Sequence, residues 1–126
     1  MNYLKTLSLA VGLTLCAAAG AMEQPRISDF ALLDHTGKHH KMSWYGDHDA
    51  IVIFIQGNGC PIGRNSVPTL KALRDEYAGR NVAFFMLNPQ PQDNRESIAV
   101  EAQEYAFDMP VLVDEAQLIA ESLGVD

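Results

Sequence analysis

Cysteine is scarce. The chain holds two, Cys16 and Cys60, and only Cys60 falls in a segment that reads as folded domain. A disulfide framework is therefore excluded, and so is a dithiol C-x-x-C site, because the third residue after Cys60 is Gly63. Basic residues are also few, 9 against 16 acidic ones, for a formal net charge of −7. That balance argues against nucleic acid or an anionic lipid surface as a partner. No apolar run is long enough to span a bilayer, which takes about 20 residues. Repeats, low-complexity tracts and long linkers are absent too, so 126 residues describe one small domain.

The first residues read as a leader. Met1–Lys5 carries one positive charge, Leu7 to Leu15 is mostly apolar, and Ala19-Gly20-Ala21 places small residues where a signal peptidase reads them. The expected division is a signal peptide at 1–21 and a domain at 22–126, secreted or periplasmic after cleavage, with membrane anchoring the lesser alternative. Lipid attachment at Cys16 is disfavoured by Leu15, where a small residue is needed. Cleavage removes Cys16 and Lys5 and makes the chain one unit more negative. Cys60 is then a lone thiol in an oxidising compartment, a liability unless it is buried or used.

Apolar periodicity orders the rest. Phe30–Asp34, the turn Thr36-Gly37 and His39–Ser43 predict a hairpin, and Asp47–Asp49 a loop. Ile51–Ile55 and Val82–Leu87 are continuous β-branched and aromatic runs, as expected of strands buried on both faces. Pro61–Tyr77 reads as a helix with Val67, Leu70, Leu73 and Tyr77 at spacings of three and four, kinked at Pro68. Asn88–Asn94 is a loop, with Asp93 and Glu96 expected to cap the next helix, Glu96–Phe107. Its stripe is Ile98, Ala102, Tyr105 and Ala106. A short strand, Pro110–Val113, precedes a last helix capped by Asp114 with Gln117 as its capping-box partner, Leu118, Ile119 and Leu123 inside, and Gly124 at its end. Alternation of strands and helices implies an α/β fold with a mainly parallel central sheet flanked by helices, and a functional crevice at the carboxyl ends of the strands.

Cys60 lies just past the carboxyl end of one such strand and at the start of a helix. Free amides and the dipole at a helix start favour an anion, here the thiolate. Pro61 suits the first helical position, where its missing N–H costs nothing. Gly57-Asn58-Gly59 makes an open loop for a large substrate, and Arg64, one turn on, adds positive potential. Cys60, Pro61 and Arg64 are thus the candidate site. A cysteine of this kind is otherwise a small apolar filler.

The same residues carry a resemblance. "FALLDHTGK", "IVIFIQGNGCP", Pro68 eight residues after Cys60, "LKALRDEYAGRNVAFFMLN" and "EAQEYAFDMPVLVDEAQLIAESLGV", in that order and spacing, resemble the thioredoxin-like superfamily. Within it they resemble the redoxins related to alkyl hydroperoxide reductase and thiol-specific antioxidant proteins. The resemblance implies a thiol oxidoreductase or antioxidant acting through one nucleophilic cysteine, without cofactor or metal, and the leader makes it extracytoplasmic. It implies a protein disulfide, a small thiol or a peroxide as substrate and an external thiol as reductant. The chain departs from the pattern at three places. Gly63 stands at the resolving-cysteine position. Ile53 and Gly57 stand where peroxiredoxins carry proline and threonine. The family's next proline loop, hairpin and helix do not follow Asp126, and Pro110 is not that proline. The expectation is a redoxin cut short, with an unpaired sheet edge, low stability and a tendency to self-associate. The alternative is a redox-inactive thioredoxin-fold binding module or a non-functional fragment.

Other residues have simpler readings. His35, His39, His40 and His48 are expected as exposed loop histidines, since the spacing of His35 and His39 suits metal ligands on a helix but falls in a hairpin. Copper binding would need a second cysteine, which Gly63 and Asn65 do not supply. Trp44 and Tyr45 are expected to cover the sheet edge or the rim of the site.

Overall fold

A computed structural model describes residues 27–125. The leader, its cleavage point and Cys16 lie outside the described residues. The elements are β1 (Ala31–Leu33), β2 (His39–Lys41), a 3-10 turn (Met42–Tyr45), β3 (Ala50–Ile55), α1 (Pro61–Glu76), β4 (Val82–Asn88), α2 (Arg95–Glu104), β5 (Val111–Val113) and α3 (Leu118–Ser122).

Strands β3, β4 and β5 form a parallel sheet in that order, with Ala50 opposite Val82, Ile55 opposite Leu87, and Met86 opposite Val111. β4 is central, and all its residues after Val82 are buried, which is what a run without polar alternation requires. Alternation of side chains then divides the core. Phe84, Met86 and Val111 meet Val67 and Leu70 of α1 and Ile98 and Ala102 of α2 on one face. Phe85, Leu87 and Leu112 meet Ala120 of α3, with Leu32, Met42 and Tyr45 of the hairpin region, on the other. Each fully buried side chain such as Leu87 or Ile98 contributes about 1.5–3 kcal/mol relative to exposure.

The hairpin β1–β2 is antiparallel, and it joins the sheet at β5. Asp34 bridges Leu112, and the His35 amide donates to the Val111 carbonyl at 2.9 Å. Asp34 holds this corner. Its Oδ1 accepts from the Thr36 amide and hydroxyl and from the Lys38 amide, and its Oδ2 lies 2.8 Å from His40 Nε2. Burial pushes the carboxyl up, but the bonds from Thr36, His40 and Lys38 outweigh it and hold Asp34 below its usual range. On the other ring nitrogen, His40 Nδ1 meets the Tyr45 hydroxyl at 2.7 Å.

Several expectations are corrected here. His40 is 1% exposed, not a loop histidine, because β2 turns it into the core against Phe85. His35 is half-buried, and its Nδ1 accepts from the Val111 amide. Trp44 is 62% exposed and packs edge-on against His39, so Tyr45 alone joins the core. α1 ends at Glu76 with Tyr77 as its C-cap, and Pro68, the expected kink point, lies inside it and faces solvent. Ala106 is exposed at a positive φ of 53 rather than on the inner stripe of α2. Asp93 does not cap α2. That role belongs to Asn94, in a reciprocal pair with Ser97. The N-cap of α3 is Gln117, which makes no side-chain cap bond; Asp114, three residues before it, supplies the acceptor, its Oδ2 taking the Ile119 and Ala120 amides.

No helix among the described residues is long and apolar enough to cross a membrane. The outer edge of β3 has no strand beside it among the described residues; Ala50 is exposed and Ile51–Ile55 are half-buried.

Candidate functional site

The ladder of β3 extends one step past the strand, where the Gln56 amide donates to the Leu87 carbonyl at 2.9 Å. The chain then turns sharply, and the Cys60 amide returns to the Gly57 carbonyl at 3.2 Å. Gly59 adopts φ +77, a conformation open to glycine and costly for most other residues. A Cβ on Gly57 would stand 2.7 Å from Gln90 Cγ, so a larger residue here would displace the Gln90 side chain.

Two carboxylates from outside the loop fix its shape. Asp93 Oδ2 accepts from the Asn58 amide at 2.8 Å and from Asn88 Nδ2 at 3.0 Å. Glu101 Oε1 accepts from the Gly59 amide at 3.1 Å. The same Glu101 is gripped by Arg64, with Nε to Oε1 at 2.8 Å and Nη2 to Oε2 at 2.7 Å. The guanidinium also lies over the Tyr105 ring, 4.1 Å from its centre. Loop, α1 and α2 are thereby locked through one buried carboxylate. The Arg64 guanidinium beside Glu101 holds its carboxyl below the usual range, helped by the Gly59 amide, and Glu101 in turn raises the pKa of Arg64.

Within this frame Cys60 is the N-cap of α1, with Pro61 at the first helical position. The Gly63 amide donates to Cys60 Sγ at 3.5 Å, within the range of a weak hydrogen bond to sulfur. Cys60 is half-buried and unpaired. Of the three candidate residues, Cys60 and Pro61 stand together at the helix start. Arg64 is on the same turn, and its charge is matched by Glu101.

Gln56 lies beneath this turn. It is 4% exposed, and neither Oε1 nor Nε2 finds a partner among the described residues. An unpaired buried polar group costs about 1–3 kcal/mol. Beside the loop, at the carboxyl ends of β3 and β4, Ile55, Pro89, Gln90, Gln117 and Glu121 line a groove of about 400 Å³, and Gln90 is its contact with Gly57. Among the described residues, no group of three or more His, Cys, Asp or Glu could hold a metal ion.

Sequence reading passed over Asn58, Asn88, Glu101, Tyr105 and Gln56 as site residues. Two signals were present. Glu101 sits on the inner stripe of α2 next to Ala102, where a charge needs a buried partner. Gln56 is the polar residue closing an apolar run.

A parallel sheet with helices, and a cysteine at the start of the helix that follows a strand, define a thioredoxin-like fold of the redoxin kind. The chain belongs to the AhpC/TSA family, whose model matches residues 24–126. Among solved structures it is similar to a hypothetical protein of Sinorhizobium meliloti, with 26% identity and TM-score 0.68 over 79% of this chain and 57% of that one. The peroxidoxin BcpB of Mycobacterium tuberculosis matches with 23% identity and TM-score 0.67, covering 78% of this chain and 62% of its own. A secreted disulfide oxidoreductase of M. tuberculosis, homologous to E. coli DsbE, matches with 15% identity and TM-score 0.63, covering 75% and 66%. The chain thus spans 57% of the length of the S. meliloti protein. Comparison with curated proteins finds no match.

Proposed function

We propose that this protein is a thiol oxidoreductase in which Cys60 is the single nucleophile and an external thiol completes the cycle. One observation carries the reading. Cys60 caps α1 at the carboxyl end of β3, with the Gly63 amide directed at its sulfur. Amides at a helix start stabilise negative charge. With a disulfide, the thiolate forms a new S–S bond while the old one breaks, and the departing thiolate takes a proton. The mixed disulfide is then opened by the external thiol, since Gly63 stands at the resolving-cysteine position. With a hydroperoxide, an S–O bond forms and the O–O bond breaks, the leaving oxygen taking a proton as alcohol or water. The sulfenic acid then condenses with the thiol and releases water.

Pro61 sets the start of the helix without interrupting a hydrogen bond. Arg64 acts through Glu101, which holds the Gly59 amide and so the turn that presents Cys60. Secretion or a periplasmic location follows from the leader at 1–21, removed after Ala21, and is supported by the secreted M. tuberculosis relative. Substrates of the thiol, disulfide or peroxide class agree with a disulfide oxidoreductase and a peroxidoxin among the similar folds.

The reading is tested by exposing the protein to an aromatic disulfide and, separately, to hydrogen peroxide, followed by intact mass. One adduct on Cys60, released by added thiol, is expected in at least one of them. An inert Cys60 in both leaves a thioredoxin-fold scaffold as the function.

A further inference from the structure

We propose that Gln56 is the hydrogen-bonding partner of the oxygen that Cys60 carries once oxidised, and that the missing side chain at residue 63 lets the two meet. This rests on the reading of Cys60 as the reactive thiol.

Gln56 is a fully formed amide sealed at 4% exposure with nothing polar to bond among the described residues. Buried side-chain amides are nearly always paired. A group that costs stability in the reduced protein calls for a partner that arrives with another chemical state. The geometry says where. A Cβ built on Gly63 would stand 3.4 Å from Gln56 Cβ, 3.7 Å from Gln56 Oε1 and 3.7 Å from Cys60 Cβ. The amide and the cysteine therefore flank the same point, and Gly63 leaves it open. The Gly63 amide already draws the sulfur toward this turn.

The chemistry of the two states differs in the way the site requires. A thiol is a weak donor and a weak acceptor, and gives an amide little to bind. A sulfenic acid presents an O–H donor and an oxygen acceptor. Oε1 can accept from the first and Nε2–H can donate to the second. The step that places the oxygen is balanced by the hydroperoxide. Its terminal oxygen bonds to sulfur, its O–O bond breaks, and the alcohol or water leaves with the proton. Sulfur loses two electrons, and the peroxide gains them. Gln56 transfers no proton. It holds the new oxygen toward Gly63 and so slows a second oxidation, which would give the irreversible sulfinic acid.

The test follows Cys60 by mass at fixed excess hydrogen peroxide, with a 1,3-dione added to parallel samples to trap sulfenic acid. Wild type is compared with Gln56→Leu and Gly63→Ala. The second fills the shared point with one methyl group at ordinary contact distances from both side chains and changes the chemistry of neither. In both variants the passage from sulfenic to sulfinic acid is expected to quicken about tenfold, the worth of one hydrogen bond. Gln56→Leu is expected to melt no lower than wild type, since it deletes an unpaired amide. Its reduced thiol should react with iodoacetamide within about twofold of the wild-type rate, since the thiol gives the amide little to bind. Unchanged sulfinic acid formation in both variants overturns the inference while leaving Cys60 reactive. A marked fall in the melting temperature of Gln56→Leu also overturns it, by showing that the amide is bonded in the reduced protein. If wild type yields no sulfenic acid at all, the peroxide branch of the function falls and this inference with it.

Discussion

Cys60 Cβ lies 3.7 Å from the place a Cβ would occupy on Gly63, the separation typical of a disulfide, about 3.8 Å. The site has the backbone of a cysteine pair with one sulfur. Gly63→Cys is therefore expected to close a disulfide with Cys60 in air without rearranging the turn. Thiol titration of the denatured variant before and after reduction checks this. Two free thiols in the oxidised sample would show that the helix start does not hold that spacing.

Glu101 joins three elements, taking the Gly59 amide and both arms of the Arg64 fork. Glu101→Ala leaves a guanidinium and a loop amide without their acceptor, at a cost of about 1–3 kcal/mol. It should also slow the reaction of Cys60 by loosening the turn. Chemical denaturation and alkylation rates measure the two effects. A variant as stable and as reactive as wild type would remove Glu101 and Arg64 from the account.

The same carboxylate gives a pH dependence with a definite sign. Hydrogen bonding to Arg64 lowers its pKa from 4.5, and hydrogen bonding that outweighs burial lowers that of Asp34 from 3.8. A depressed carboxylate contributes stability that is complete above its unfolded pKa and is lost as pH falls through the folded one. Stability should hold from neutrality to about pH 5 and decline below about pH 4.5. Glu101→Gln should flatten part of that decline. A melting temperature that rises on acidification would contradict this assignment.

The edge of β3 that no strand covers among the described residues presents Ala50–Ile55 without a charge or a proline, the features that guard edges against pairing. A polypeptide limited to the described residues is expected to associate with increasing concentration. Sedimentation velocity across a concentration series measures this. A monomer throughout, with a sharp cooperative melt, would show that the edge is protected.

Much of the fold could be read from local pattern. The run at β4 and the stripe of Val67 and Leu70 on α1 are dictated by burial on a parallel sheet, whereas Ile51–Ile55, which reads the same way, is half-buried at the sheet edge. Cys60 and Pro61 could be read because a helix start is a local signal. The rest depended on contacts distant in sequence. Asp93 stands next to a helix start and so looked like a cap, but its carboxylate is spent on Asn58, 35 residues away. Arg64 looked like a cation for the sulfur, yet Glu101, 37 residues on, takes both arms of its fork. His40 was hidden by its neighbours. His39, His40 and Lys41 look like an exposed polar run, and only strand alternation puts the middle one inside.

The central claim is that Cys60 carries the chemistry. The direct measurement is the initial rate at which a small dithiol is oxidised, with hydrogen peroxide and with an aromatic disulfide, by wild type and by Cys60→Ser. The account predicts a rate above buffer with at least one oxidant for wild type, and a return to the buffer rate for Cys60→Ser. Equal turnover by the two proteins, or a wild-type rate no faster than buffer with both oxidants, would contradict it.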